Sequence, residues 1–223
     1  MKTVIIIGAR IDGHAGVIKD CIESAGEYHI IGWLDTTVSL QGKQVGGIPV
    51  LGSSDEVGQR KFDADYFHIA IGDNIARGEI YDRLKKSGAM LLSVIHPRAF
   101  ISEKANIGEG TFVGPMAVIN HGSSMGPVCI INSGAIVEHD NHIGKAVHIG
   151  PGSSTSGRVV IDDFAFIGVG STIIPDIHIG RGALVGAGST VVKDVEAQTT
   201  IIGYAAKKHI KNIYSDTGNE QKD

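Results

Sequence analysis

The chain has 223 residues, 42% of them hydrophobic, and a formal net charge of −4, enough for one large domain or two small ones with buried cores. No basic block is present, which argues against a nucleic-acid partner, and no run approaches the ~20 apolar residues of a membrane span. Two cysteines, Cys21 and Cys129, make neither a disulfide framework nor a metal knuckle, and the apolar run in MKTVIIIGARIDG is too short for a secretory leader, so a cytoplasmic, reduced protein is expected.

The first ~95 residues alternate two kinds of segment. TVIIIGA (3–9) is a continuous apolar strand running into a glycine turn, and HAGVIKDCIESAG (14–26) has helical spacing and a glycine stop. YHIIGWLD (28–35) and DYFHIAIGD (65–73) read as further strands, NIARGEIYDRLKKSG (74–88) as a second helix, and AMLLSVIHP (89–97) as a fourth strand closed by Pro97. This pattern predicts a small Rossmann-like parallel sheet covered by helices.

After Pro97 a period of six takes over. From Ile101 to Val191, every sixth residue is Ile or Val in fourteen of sixteen cases, Met125 and Thr155 being the exceptions. Four places after each stands a small residue, Ala, Ser, Thr, Cys or Val, again in fourteen of sixteen. Each hexad reads as one short strand plus a corner, with three hexads closing a triangular coil whose large residues stack inside. The pattern resembles the hexapeptide-repeat, left-handed β-helix family. Expected boundaries are a Rossmann-like domain over 1–97, a left-handed parallel β-helix over 98–208 and a polar tail over 209–223.

The repeat is interrupted at INSGAIVEHDNHIG (131–144). Asn141 puts an amide at a small inward position, where burial without partners costs about 1–3 kcal/mol. Just before it, His139 and Asp140 set an imidazole beside a carboxylate, the arrangement a general base needs. A solvated corner histidine is the plainer reading, and the polar break at Asn141 favours the functional one. His121, one coil earlier, should stack beneath His139. In the N-terminal half, GARIDGHAG (8–16) joins a strand to a helix, where backbone N–H groups favour a phosphate, although GxGxxG is not met. Asp35 and Gly72 end the second and third strands on that same edge of the sheet.

The order GHA, WLD, IPVLG, AIGD, IHP and EHD, over about residues 3–208, resembles the bacterial sugar acetyltransferases of the sialic acid O-acetyltransferase and UDP-4-amino-sugar N-acetyltransferase (NeuD/PglD) type. The resemblance implies that His139 is the general base, oriented by Asp140. It implies that His148 lies near the acetyl thioester, with Val169 and Ala187 meeting acetyl-CoA through their backbone. It places Asn132 beside the site and Gly13, His14, Asp35 and Gly72 in a nucleotide-sugar pocket. It further implies a homotrimer with sites between neighbouring prisms, and no metal. Two features depart from the family: ARID lengthens the glycine loop by about two residues, and Ala205 in GYAAKK replaces a proline. Lys207 and Lys208 are candidates for the CoA phosphates.

N-Acetylation of a nucleotide-linked 4-amino sugar is the expected reaction, O-acetylation of sialic acid or a related sugar the alternative, and a non-catalytic hexapeptide scaffold the third. The zinc site of β-helix carbonic anhydrases is a fourth comparison. It asks for two histidines five apart, and His139, His142 and His148 are three and six apart.

Overall fold

In the computed structural model, residues 1–57 and 62–203 are described. Lys207, Lys208 and the expected tail lie outside them. The N-terminal part is built on β1 (Lys2–Ile7), α1 (His14–Ala25), β2 (Tyr28–Leu34), β3 (Gln44–Val45), β4 (Ile48–Gly52), β5 (Tyr66–Ile69) and α2 (Asn74–Lys86). The sheet runs β3-β4-β2-β1-β5, parallel except for the β3–β4 hairpin. Apolar runs buried on both faces, such as Val4–Ile7, form its centre. The hairpin was not foreseen. Its turn is Gly46-Gly47, both at positive φ (57° and 78°), which is the pairing of residues a primed two-residue turn needs.

The expected fourth strand over 89–97 is divided. Leu91 makes one parallel bridge to Phe67 at the sheet edge. Val94–Ile95, β6, instead pairs with Phe112–Val113. Ile95 stands one hexad before Ile101, so the hexad register claims these residues.

From β6 onward two-residue strands stack into three parallel sheets, the three faces of a left-handed β-helix. Partners are eighteen residues apart, as in Val118 with Ile136 and Ile136 with Ser154. The every-sixth residues form one continuous core, from Val113 through Ile149 to Val191. Each buried Ile or Val contributes roughly 1.5–3 kcal/mol gross, against an ordering entropy of similar total size. From Gly110 to Gly188 every sixth residue, fourteen in all, has positive φ and turns a corner. Thr200–Ile201 closes the stack sixteen residues after Leu184–Val185, so the last coil is two residues short.

The three faces can be named by what they carry. The docked face (Phe112, Ile130, His148, Phe166) lies against the N-terminal sheet, and Phe112 and Ile130 share a core with Ala15, Ile18 and Leu92. The second face carries Phe100, Val118 and Ile136 outward, and the third carries Asn106, Ser124, His142 and His178. The first edge joins docked to second face, the second edge joins second to third, and the third edge returns to the docked face. Val128 and Ala146, on the third edge, pack with residues of α2 and β5.

Candidate active site

His139 and Asp140 sit on the second edge, opposite the docked face. Asp140 is one of the left-handed corner residues (φ 56°), a conformation Asp tolerates better than most side chains. Its Oδ2 lies 2.9 Å from His139 Nδ1, and both side chains are about half exposed. That hydrogen bond holds the Asp140 carboxyl below the usual carboxylate range. With Nδ1–H donated to the carboxylate, the lone pair is on Nε2, and the pair has the form of a base with its orienting acid.

Asn141 is fully buried, and its Oδ1 has no hydrogen-bond partner among the described residues. Nδ2 donates to the carbonyls of Glu138 (2.6 Å), His139 (3.2 Å) and Ser156 (2.9 Å). Ser123, Ser153 and Ser171 at equivalent positions also donate to the carbonyl fifteen residues ahead. Asn141 therefore extends a staple that recurs along the prism, and its extra bonds tie down the turn carrying His139. The break in the repeat marks the site through its scaffold.

The first edge holds the residues expected to meet acetyl-CoA. Val169 and Ala187 follow the docked-face strands, and their N–H groups make no hydrogen bond within the described residues. The corner residues here are Met116 and then Gly134, Gly152, Gly170 and Gly188, and a Cβ added at any of the four glycines would stand in open space. The other edges carry mostly side chains at this position, such as Asp140, Arg158 and Phe164, with Gly110, Gly122 and Gly182 interspersed. From Gly134 onward the first edge is thus a strip of bare backbone, open to close approach by an extended ligand.

Asn132 and His148 adjoin this strip. Asn132 Oδ1 accepts the Ser133 N–H at 2.8 Å, so its Nδ2 is the donor to His148 Nε2 at 3.2 Å. His148 packs edge-on to Phe166 and has Gly72 backbone beside it, while Nδ1 keeps no hydrogen bond of full geometry. Burial pushes the His148 ring down to about 4. His148 thus sits between the first edge and the N-terminal sheet, and the structure brings it together with Asn132 and Gly72.

At the carboxyl ends of β1, β2 and β5 lies a cleft of about 360 Å³, lined by Gly13, His14, Asp35, Ser54 and Gly72 among others. Gly13 is the N-cap of α1 and supplies no side-chain cap; the Gly16 N–H goes to the Gly13 carbonyl at 3.1 Å, and those of His14 and Ala15 remain open to an anion. Asp35 lines the cleft as expected, and its carboxylate also has partners within the chain. Its Oδ2 accepts the Ala9 N–H (2.7 Å) and its Oδ1 the Thr37 N–H (2.8 Å). Burial raises this carboxyl, but the two N–H donors outweigh burial and hold it below the usual range. Asp35 braces the floor of the cleft. His14 lines the cleft and meets Phe112 of the docked face edge-on at 5.1 Å.

Two residues here were not anticipated. Arg77 is buried and makes no ion pair among the described residues. Its guanidinium donates to the carbonyls of Val128, Ala146, Ile71 and Gly72 and to Asn74 Oδ1, at 2.7–3.1 Å. It ties the cleft edge at Gly72 to the third edge of the prism. His68, fully buried on β5, donates Nδ1–H to the Leu92 carbonyl. Neither role has a local sequence signal.

Burial drives His14 down to about 3 and His68 to about 4, with Arg77 adding to the effect on both. These rings, like His148, stay neutral when folded but take up protons near the ordinary value of about 6.5 when unfolded. The unfolded chain therefore binds more protons below pH ~6.5, and stability falls as pH falls. The thermal midpoint is expected to drop steadily from pH 7 to pH 5. A flat profile would contradict neutral, buried rings.

Among the described residues no group of three or more His, Cys, Asp or Glu is placed to hold a metal ion, and no helix is long and apolar enough to cross a membrane.

The PglD N-terminal domain model matches residues 3–84. GDP-perosamine N-acetyltransferase of Escherichia coli O157:H7 is 31% identical over 124 residues, 56% of each chain. UDP-N-acetylbacillosamine N-acetyltransferase of Bacillus subtilis (strain 168) is 34% identical over 115 residues, 51% of each. The chain thus matches about half the length of these curated relatives. Solved structures match further. PerB from Caulobacter crescentus, solved with CoA and GDP-perosamine, is 35% identical, with 91% of this chain and 95% of that one covered and a TM-score of 0.83. The acetyltransferase domain of PglB from Neisseria gonorrhoeae FA1090, solved with acetyl coenzyme A, is 32% identical, with 91% and 96% covered and a TM-score of 0.83. With its two-part fold, hexad register and near-complete overlap with these structures, the chain belongs to the NeuD/PglD family of hexapeptide-repeat sugar acetyltransferases.

Proposed function

We propose that the protein moves an acetyl group from acetyl-CoA to the amino group of a nucleotide-linked 4-amino sugar, with His139 as general base. The observation that carries this is the His139–Asp140 pair, Nδ1 to Oδ2 at 2.9 Å, which leaves Nε2 as the proton acceptor. The sugar amine attacks the thioester carbonyl carbon and gives its proton to Nε2. Asp140 stabilises the imidazolium formed. The C–S bond then breaks, and the leaving sulfur takes up the proton held on Nε2, so that CoA departs as the thiol and His139 is neutral again. The relatives acting on GDP-perosamine and UDP-N-acetylbacillosamine support a nucleotide-linked amino sugar. The open α1 N-terminus at Gly13 suits its diphosphate.

The glycine strip with Val169 and Ala187 suits the acyl donor, and Asn132 and His148 stand at its border. In one chain these residues lie on the first edge, whereas His139 lies on the second. The second face between them carries Phe100, 57% exposed, Val118 and Ile136, 36% exposed, followed by Ser154, Thr172 and Thr190, where the third face has Val160 among Asn106, Ser124, His142 and His178. Packing this face against copies of itself in a homotrimer would bring the second edge of one prism to the first edge of its neighbour. The complete site is then shared between subunits.

The test is free-thiol release from acetyl-CoA against UDP-, dTDP- and GDP-linked 4-amino sugars and free sialic acid. Release with one nucleotide amino sugar is the expected result. Release with sialic acid alone would move the acceptor to a hydroxyl. Silence across the panel would count against the acceptor class.

A further inference from the structure

The glycine one coil beyond the proposed base has no backbone reason to be glycine. Gly157 stands eighteen residues after His139, at the same place on the second edge. Its φ is not in the left-handed region, so any residue could adopt its backbone. What it lacks is room. A Cβ at Gly157 would lie 2.4 Å from His139 Cε1, 2.5 Å from Nε2 and 3.1 Å from Nδ1. The imidazole occupies the space that a side chain at Gly157 would take.

The other side of the pair is built alike. A Cβ at Gly122, one coil before Asp140, would lie 2.3 Å from the carboxylate Oδ1. Gly122 also has φ +73°, so its glycine has a conformational reason as well. Gly157 has only the steric one. The backbone around the ring is already fixed: Arg158 donates its N–H to the His139 carbonyl at 3.0 Å, and Asn141 Nδ2 reaches the same oxygen. The freedom left to His139 is rotation of its side chain, and Gly157 leaves open the rotamer that reaches Asp140.

We infer that Gly157 is a positioning residue, whose missing side chain is what lets the His139 imidazole occupy the orientation in which Asp140 fixes its tautomer. The inference rests on the proposal that His139 is the base, and the experiment separates the two. Gly157→Ala is compared with wild type in steady-state kinetics and in ring-nitrogen NMR of the histidines, with His139→Ala assigning the His139 signal.

A lowered kcat, by ten- to a hundredfold as expected for a misplacement of about 1 Å, with both KM values within about twofold, is the expected kinetic result. The NMR should show loss of the Nδ1–H tautomer preference. A changed tautomer with normal kcat would keep the positioning role and sink His139 as base. An unchanged tautomer, whatever the kcat, would overturn the inference. Should Gly157→Ala be unstable, Gly157→Ala in the His139→Ala background decides. A clash with the ring predicts that the cost vanishes there, and a cost that persists would overturn the inference.

Discussion

His139→Ala is expected to lower kcat by roughly 10²–10⁴, the usual contribution of a positioned general base, while the protein keeps its fold and its affinity for both substrates. The fold should be indifferent because the side chain is about half exposed and, among the described residues, hydrogen-bonds only Asp140. The backbone staple through Asn141 does not involve the imidazole. Asp140→Asn should cost less than His139→Ala, since it removes orientation and imidazolium stabilisation but leaves the proton acceptor. Turnover of His139→Ala within a few-fold of wild type would exclude it as the base, and a rise in KM with kcat unchanged would recast it as a binding group.

The second large effect is on stability. Arg77→Ala is expected to cost about 3–5 kcal/mol, read from denaturant unfolding, because it strands several buried acceptors at about 1–3 kcal/mol each while water refills part of the space. Those acceptors include the Val128 and Ala146 carbonyls of the prism and the Ile71 and Gly72 carbonyls of the cleft. Arg77→Lys should recover only part of this, since three donors on a flexible stem cannot reproduce a fork that serves five bonds. A loss below about 1 kcal/mol for Arg77→Ala would show that the two parts of the chain are held by their shared apolar contacts alone.

The β-helix was legible because its period is local: six residues define a strand and a corner, and the count propagates without reference to anything distant. The same count misled only at its margin, where Val94–Ile95 looked like the end of an apolar strand and proved to be the first hexad. The β3–β4 hairpin was missed because its strands are short, though Gly46-Gly47 was a readable turn. In the site, His139 and Asp140 were legible as neighbours in sequence. Asn141 was legible as an anomaly, but its direction was not, since a buried amide aimed at carbonyls and one aimed at a ligand read alike. Asp35 was placed at the right strand end, yet its carboxylate serves the backbone of Ala9 and Thr37. Arg77 was unreadable, because its partners Val128 and Ala146 are 51 and 69 residues away. Gly157 was within reach by adding one coil to His139, had the count been applied to the corner residues as well as the core.

The recurrence of corners every six residues and of neighbours every eighteen makes the length of this half of the molecule a quantised property. One residue inserted between Ile107 and Val185 would turn the inward residues beyond it outward and move each left-handed corner onto a residue not suited to it. Three added residues would fare no better, and six placed between His139 and Gly157 would leave corners intact but rotate the edges, parting the two. Only whole coils can be gained or lost with every file preserved. Divergence within the prism must therefore run through substitution. Changes of length are left to places such as the Gly8–Gly13 loop, where no register is kept.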